Sequence, residues 1–286
     1  MAPRIIVTGG SGFIGSRVCA KLAADGWEVQ SWTRGRTKRD STSSADRIEC
    51  LKIDIYDEAA VRTALKEAGA KQMIHLAWGG LPNYLSCHHM DTELVRQIGF
   101  VRSVIEGGIE HLTLTGTCFE YGARDGELRE DMDGRPTNPY GYAKLALLRY
   151  VEFLRREMPF SYRWLRLFYM YGEGQGPTSL YTLLRAAYAR GDPTFDMSDG
   201  HQIRDFMPVG EVVSKIIALH AADVPDGVFN VCSGHPVSVR QQVEKWISDW
   251  GYDVQLNLGK LPIPPYEQLA FWGSNDKTNF MVMEKN

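Results

Sequence analysis

The sequence has 286 residues and a formal net charge of −3, with 44% hydrophobic and 23% charged residues. This composition is typical of globular proteins and excludes a disordered, fibrous or strongly basic nucleic-acid-binding chain. No run approaches the ~20 consecutive apolar residues that span a bilayer, and the first residues lack the pattern of a secretion signal. Five scattered cysteines without a Cys-x-x-Cys pair predict neither a disulfide framework nor a zinc site. We expect a cytoplasmic protein that binds neither membranes nor nucleic acid.

Short apolar runs alternate with helical patterns in the first half of the chain. Strands are predicted over 4–8, 28–33, 48–53, 72–77, 111–115 and 162–168, and helices over 12–24, 57–68, 91–106 and 140–156. Because this alternation is typical of right-handed crossovers, it predicts a Rossmann-type, doubly wound parallel α/β sheet.

The pattern changes near residue 171, where loops lengthen and contain more glycine and proline. Helices are predicted over 179–190, 209–222 and 237–250, followed by an irregular tail from Lys260. We expect a dinucleotide-binding domain over residues 1–170. Residues 171–286 are expected to form mainly a smaller substrate-binding lobe, part of which returns to the first domain.

A glycine-rich turn follows the first predicted strand and opens the first helix. Gly9, Gly12 and Gly15 permit a tight turn, close approach of a pyrophosphate and close packing of helix on strand, respectively. The helix N-terminus, with Phe13 and Ile14, offers N–H groups to phosphate oxygens. This strand–turn–helix context predicts a dinucleotide site rather than an ordinary glycine turn.

The end of the second strand indicates which dinucleotide binds. No carboxylate that would bind the ribose hydroxyls of NAD stands there; instead Arg34 and Arg36 lie in a basic stretch. Guanidinium groups match a 2′-phosphate, so NADP(H) is favoured over NAD(H), although a solvated basic loop would give the same pattern. Asp54 and Ile55 lie at the end of the third predicted strand. In such folds this position contacts the adenine of the dinucleotide.

A Tyr-x-x-x-Lys pattern begins the helix predicted over 140–156. Residues four apart share one helical face, so Tyr140 and Lys144 point the same way. An adjacent ammonium lowers the pKa of a tyrosine and would make Tyr140 a general acid or base near neutral pH. Thr117, at the carboxyl end of a strand, is placed to hold a substrate oxygen beside Tyr140.

These motifs occur together in a known order: the 8–15 glycine turn, His75-Leu76-Ala77, Thr117 with Tyr121-Gly122, Tyr140-x-x-x-Lys144, the 165–172 segment and Gln202-x-Arg204-Asp205-Phe206. The chain closely resembles the extended short-chain dehydrogenases/reductases, which are NAD(P)-dependent nucleotide-sugar epimerases, dehydratases and reductases. The resemblance covers about residues 4–250. It implies a Rossmann domain, a lobe that binds a nucleoside-diphosphate sugar, and the catalytic set Thr117, Tyr140 and Lys144. Leu76 and Ala77 are assigned to the cofactor site.

Positions at which the sequence differs from the family pattern reduce the number of activities that we expect. The family's dehydratases carry Asp-Glu after the catalytic threonine, whereas Cys118 and Phe119 stand here, so dehydration is not expected. Tyr169 stands where the family more commonly has an asparagine. In this respect the sequence resembles the nucleotide 4-keto-6-deoxyhexose reductases. The expected activity is therefore NADPH-dependent reduction of the C4 keto group of such a sugar. An NAD-dependent C4 epimerase and a non-catalytic dinucleotide-sensing module remain as alternatives.

Substrate contacts are expected from both parts of the chain. Arg204 is placed to meet a pyrophosphate as the family's arginine does, although a structural role beside Asp205 is the alternative. The remaining candidate substrate residues are Thr117, Cys118, Tyr169, Gln175 and Ser179. The resemblance also implies a homodimer formed through the helices near 91–106 and 140–156.

Two histidine features carry no predicted function. Cys87-His88-His89 resembles a metal cluster, but no second Cys/His group stands at ligand spacing, so no metal site is expected. His75 lies in a predicted buried strand and is interpreted as a core histidine with satisfied hydrogen bonds.

Overall fold

The structure is a computed structural model that describes residues 2–35, 45–263 and 268–283. The strands are β1 (Arg4–Thr8), β2 (Glu28–Thr33), β3 (Ile48–Lys52), β4 (Gln72–His75), β5 (His111–Thr117), β6 (Gly126–Leu128), β7 (Ser161–Leu167), β8 (Tyr169–Tyr171), β9 (Thr194–Asp196), β10 (Ile203–Pro208), β11 (Gly227–Val231), β12 (Pro236–Ser238), β13 (Gln255–Asn257) and β14 (Phe271–Gly273). The α-helices are α1 (Gly15–Ala24), α2 (Glu58–Ala68), α3 (Leu94–Glu106), α4 (Pro139–Glu157), α5 (Leu180–Arg190), α6 (Val209–Ala221), α7 (Val239–Trp250) and α8 (Asp276–Met283). A π-helical turn, His89–Glu93, and two 3₁₀ turns, Ala45–Arg47 and Cys118–Tyr121, complete the set.

The central sheet has seven parallel strands in the order β11-β7-β5-β4-β1-β2-β3. Alternate residues of β1 face opposite layers, as the pleat requires. Ile5 packs with α1 and α6 on one face, whereas Ile6 packs with α2, α3 and α4 on the other. Both faces are therefore covered by helices, and the strand order reverses beside β1, where open α/β sheets bind ligands.

Local signals explain where the helices begin and end. The Asp57 carboxylate caps α2 by accepting the N–H of Ala60, and Gly69 ends that helix at a φ of 58°. The Asn138 side chain caps α4, with Pro139 at its first position. These capping residues fix the start of the helix that carries Tyr140.

Strand β8 and most of the residues after it form a second, smaller set of layers. There β12, β10 and β8 make a three-stranded sheet, and β13 pairs with β9. An aromatic core that includes Tyr181 and Phe195 packs beneath α5 and α7. Helix α6 and strand β11 lie in the central layers instead, since β11 pairs with β7. No helix among the described residues is long and apolar enough to cross a bilayer.

Some predicted boundaries differ from the structure. The strand predicted over 72–77 ends at His75 because the N–H groups of Leu76 and Ala77 turn to the Thr8 hydroxyl. The predicted third strand ends at Lys52, before Asp54. The π-helical turn precedes α3, where a regular helix from residue 91 was expected.

The prediction of an irregular tail from Lys260 is wrong for residues 271–283, which form β14 and α8. β14 pairs with β6, and α8 packs against β11 and α6. Apolar residues of the tail supply the driving force, since Phe271 is buried and Met281 packs against the central core. The strand β6, residues 126–128, is not among the strands that the sequence predicts.

Candidate active site

The glycine turn after β1 has the geometry that the sequence predicts for a phosphate-binding loop. Gly9 has a φ of 69°, a conformation that glycine adopts without strain. A Cβ on Gly15 would overlap the carbonyl oxygen of Gly9, so only glycine lets α1 begin this close to β1. Gly12 is exposed at the turn, and Arg17 fastens the loop by donating to the carbonyl oxygen of Phe13 at 2.8 Å. The residues present therefore fit a dinucleotide pyrophosphate at the N-terminus of α1.

A cleft of about 350 Å³ runs from this turn along the carboxyl ends of the strands. Predicted cofactor residues that line it are Gly9, Gly12, Arg34, Ile55, Leu76 and Ala77. Asp54 does not line the cleft; its carboxylate accepts the N–H of Tyr56 at 3.1 Å. Arg36 lies outside the described residues.

The cleft also contains residues that the sequence analysis missed, among them Trp32, Tyr56, Trp78 and Gly79. Each lies at or just after the carboxyl end of a strand, which is the signal that could have identified them.

A buried hydrogen-bond network lies behind the cleft. The Nε2 of His75 is 2.6 Å from Oε1 of Gln97, and its Nδ1 is 2.7 Å from the hydroxyl of Thr8. Because an amide oxygen only accepts, His75 donates through Nε2 and accepts the Thr8 hydroxyl proton through Nδ1. Burial lowers the pKa of His75 to about 4. The interpretation of His75 as a core histidine agrees with this structure.

Glu93 connects the network to the wall of the cleft. Its Oε1 accepts bonds from the N–H of Gly79 at 2.7 Å, from Gln97 at 2.9 Å and from the Tyr56 hydroxyl at 2.5 Å. Burial would raise the pKa of Glu93, but these hydrogen bonds and the positive charge of Lys144 outweigh burial and lower it. A fixed carboxylate thus holds two residues of the cleft, Tyr56 and Gly79.

Tyr140 and Lys144 lie on the buried face of α4. Tyr140 is 8% exposed and Lys144 is 4% exposed. The Lys144 Nζ donates to the carbonyl oxygen of Thr115 at 2.8 Å and lies 3.9 Å from the centre of the Trp78 ring. Trp78 also packs edge-on against Tyr140, with ring centres 5.9 Å apart. Since Trp78 lines the cleft, this one side chain connects the cleft to both residues.

The expected effect of Lys144 on Tyr140 is absent from this arrangement. Burial raises the pKa of Tyr140 well above its usual value, and Tyr84, Glu120 and Cys118 raise it further. Burial also lowers the pKa of Lys144 to about 7. The reason is geometric, because Nζ is 5.9 Å from the centre of the Tyr140 ring and bonds Thr115 instead. Tyr140 is therefore held as a neutral phenol, the form that donates a proton.

Aromatic rings surround Tyr140. The ring centres of Tyr84, His89 and Phe119 lie 5.4, 5.2 and 6.4 Å from that of Tyr140. His89 accepts the Trp78 indole N–H at 3.1 Å and donates to the carbonyl oxygen of Asn83 at 2.8 Å. These bonds give His89 a role in ordering the loop over Tyr140.

Thr117 ends β5 and caps the 3₁₀ turn Cys118–Tyr121. Its hydroxyl accepts the N–H of Phe119 at 3.3 Å, and the ring of Phe119 packs on Tyr140. A Cβ on Gly141 would come within 2.6 Å of the Phe119 carbonyl oxygen, so a glycine allows α4 to pack tightly against this turn. Thr117 thus lies on the turn against which Tyr140 packs.

The predicted pyrophosphate residue Arg204 is 1% exposed. Its guanidinium lies 4.7 Å from the ring centre of Phe271 and 5.5 Å from that of Tyr169. Beside it, the Asp205 carboxylate accepts the N–H groups of Ser233 at 2.7 Å and Gly234 at 2.9 Å. Arg204 is therefore buried against aromatic rings, next to a carboxylate that bonds backbone N–H groups.

The other predicted substrate residues make local contacts. Ser179 caps α5 by accepting the N–H of Thr182, and Gln175 donates to the carbonyl oxygen of Met170 at 2.9 Å. Cys118 packs in a small core, and burial raises the pKa of its thiol to about 12. No group of three or more metal-ligating side chains occurs within the parts of the chain that the structure covers.

Comparisons with known proteins identify the family of the chain. A model of the NAD dependent epimerase/dehydratase family matches residues 5–232. The chain is 28% identical over 272 residues to dTDP-6-deoxy-L-talose 4-dehydrogenase (NAD(+)) of Aggregatibacter actinomycetemcomitans, covering 94% of this chain and 99% of the relative. It is 26% identical to UDP-glucose 4-epimerase of Corynebacterium glutamicum, covering 84% of this chain and 78% of that protein.

Solved structures share the fold. MoeE5 in complex with UDP-glucuronic acid and NAD superposes with a TM-score of 0.81 at 26% identity, covering 98% of this chain and 92% of that one. The similarity confirms the predicted Rossmann-type α/β fold. The family match spans the glycine turn, Thr117, Tyr140 and Lys144. The chain therefore belongs to the NAD dependent epimerase/dehydratase family.

Proposed function

We propose that this protein reduces the C4 keto group of a nucleoside-diphosphate-linked 4-keto-6-deoxyhexose, with NADPH as the reductant. The observation that carries the proposal is the position of Trp78, which lines the dinucleotide cleft and contacts both Lys144 and Tyr140. The relative named as a 6-deoxy-talose 4-dehydrogenase supports this substrate class. A dehydrogenase and a ketoreductase catalyse the same reaction in opposite directions.

Tyr140 is the proposed general acid. When bound, the cofactor supplies the hydride that converts the ketone to an alkoxide. Because its pKa is raised, Tyr140 carries the proton that the alkoxide oxygen requires. The Thr117 hydroxyl would donate a hydrogen bond to the same oxygen, and charged Lys144 would hold the ribose hydroxyls of the cofactor beside Tyr140. The buried surroundings of Tyr140 and Lys144 exclude water and strengthen these interactions.

The function is tested by mixing the purified protein with NADPH and a panel of nucleotide-linked 4-keto-6-deoxyhexoses. We expect loss of absorbance at the wavelength of the reduced nicotinamide, together with a product that carries a new C4 hydroxyl by NMR. A protein that keeps a bound nicotinamide through purification and interconverts C4 epimers without net NADPH oxidation would contradict the proposal. That result would support the alternative, an NAD-dependent C4 epimerase, which the similarity to a UDP-glucose 4-epimerase favours.

The NADPH preference rests on Arg34, which lines the cleft just after β2. We expect Arg34→Ala to weaken NADPH binding about tenfold or more, because a charge-assisted bond to the 2′-phosphate is lost. NADH binding should change little, since NADH lacks that phosphate. Fluorescence titration with both cofactors measures the two dissociation constants. Arg62→Ala, which removes an exposed arginine from α2, is the control; equal weakening of NADH and NADPH by Arg34→Ala would contradict the assignment.

We also propose that the protein is a cytoplasmic homodimer. Val95 on α3 and Phe153 on α4 are 62% and 58% exposed, and these helices pack against each other. Their exposed apolar side chains suit a four-helix interface with a second copy. All five cysteines are free thiols, which agrees with a reducing compartment.

A further inference from the structure

A buried carboxylate lies directly behind the proposed reacting groups. Glu120 is fully buried in the 3₁₀ turn that follows β5. Its Oε1 accepts the N–H of Thr117 at 2.8 Å and the indole N–H of Trp164 at 3.0 Å. Its Oε2 accepts the Nε–H of Arg166 at 2.8 Å, and the side chain of Arg166 is 3% exposed. The carboxylate is thus held by three different donors.

Stability alone does not account for this arrangement. Replacing a buried ion pair by packed hydrophobic residues is often neutral or stabilising. The chain nevertheless makes room for the carboxylate, because a Cβ on Gly116 would overlap Oε1 of Glu120 and Nε1 of Trp164. The Arg166 guanidinium is fixed in turn over the ring of Tyr121, at 4.3 Å. Because burying the Glu120 charge does not by itself stabilise the fold, we look for its role in function.

The end of β5 connects Glu120 to both members of the proposed reacting set, because Glu120 accepts the N–H of Thr117 and Lys144 donates to the carbonyl oxygen of Thr115. Through the bond to its N–H, Glu120 fixes the backbone of Thr117, whose hydroxyl is proposed to meet the substrate oxygen. Burial lowers the pKa of Lys144, and the charge of Glu120 opposes that effect more strongly than the charge of Glu93 does. Lys144 faces one further titratable group on the sheet, His75, and Tyr140 on its own helix.

We infer that Glu120 is a positioning residue for the reaction proposed above: its carboxylate orients Thr117 and places a negative charge near Lys144. It touches neither the cofactor cleft nor the reacting oxygen, and it acts through Thr117 and Lys144. Arg166 and Trp164 hold the carboxylate in place through their hydrogen bonds. The inference rests on the proposed function for the role of Lys144, but the charge of Lys144 is measurable without any substrate.

The test compares wild type with Glu120→Gln and with the double variant Glu120→Gln/Arg166→Met. The single variant leaves Arg166 buried without its counter-charge and is expected to destabilise the fold, whereas the double variant removes both charges. The matched control is Asp226→Asn/Arg163→Met, which removes another ion pair anchored on β7, with its N–O contact at 3.1 Å. In each protein the ¹³Cε resonance of Lys144, assigned by its absence from Lys144→Met, is followed against pH. NADPH turnover with the keto sugar is measured at pH 6.

In the double variant we expect the Lys144 midpoint to fall by ~1 pH unit or more, because the opposing charge is gone. Turnover at pH 6 should fall about tenfold or more, since Thr117 is no longer oriented. The control should match wild type in both measurements. An unchanged Lys144 midpoint overturns the inference whether or not the sugar is reduced. Failure of wild-type protein to reduce any sugar, with a midpoint that still shifts, would instead overturn the proposed function and leave the action of Glu120 on Lys144 intact.

Discussion

Tyr140→Phe is expected to lower turnover of the keto sugar by about 10²- to 10⁴-fold, because the substitution removes the only proton that this side chain can give to the alkoxide. The aromatic ring is retained, so packing against Trp78, Tyr84 and His89 should persist. NADPH affinity should therefore change little. Steady-state oxidation of NADPH gives the loss in kcat, and fluorescence titration gives the cofactor dissociation constant.

Tyr142→Phe is the matched control for Tyr140→Phe. Tyr142 lies in the same turn of α4 but is 52% exposed, so losing its hydroxyl should leave turnover near the wild-type value. Retention of most of kcat by Tyr140→Phe would remove Tyr140 from the role of general acid. A parallel loss of NADPH binding would instead point to a role in holding the cofactor.

The central sheet could be predicted from the sequence because its signals are local. The continuous apolar run Ile5–Val7 indicates a strand buried on both faces, and Gly9 and Gly15 mark the turn after it. Strands β1 and β2 have the predicted bounds. By contrast, β14 was missed because a three-residue strand has no periodicity of its own and depends on pairing with β6, which is distant in sequence.

In the candidate site too, residues with a local sequence signal could be predicted and residues that depend on distant contacts could not. Tyr140 and Lys144 were found because residues four apart on a helix must share a face. Glu93, Glu120 and Trp78 were missed because their importance arises from contacts between segments far apart in the chain. The burial of Tyr140 and Lys144 also could not be predicted from the sequence. Spacing alone placed an ammonium beside Tyr140, whereas desolvation in the folded chain dominates the pKa values of both groups.

The burial of Lys144 has a consequence for stability that opposes its role in activity. We expect Lys144→Met to lower kcat about 10²-fold or more, because no ammonium remains to hold the cofactor ribose in the reactive position beside Tyr140. The same substitution should raise the Tm near pH 7 by about 2 °C or more, since it removes a buried charge. Loss of the 2.8 Å bond to Thr115 and of the contact with Trp78 limits the gain. Calorimetry and NADPH oxidation measure the two effects on one sample.

The pH dependence distinguishes this explanation from a simple packing effect. The pKa of Lys144 is about 7 in the folded protein against a usual value of 10.5. Between these values the unfolded chain binds more protons, so the wild type gains stability from this group as pH rises from 7 towards 10.5, while below pH 7 the penalty is constant. The Tm advantage of Lys144→Met should therefore be largest at pH 6–7 and shrink towards pH 10. Lys66→Met, which removes an exposed lysine from α2, should show no such trend. An advantage of Lys144→Met that is equally large at pH 7 and pH 10 would mean that Lys144 is not a buried charge that titrates near neutrality.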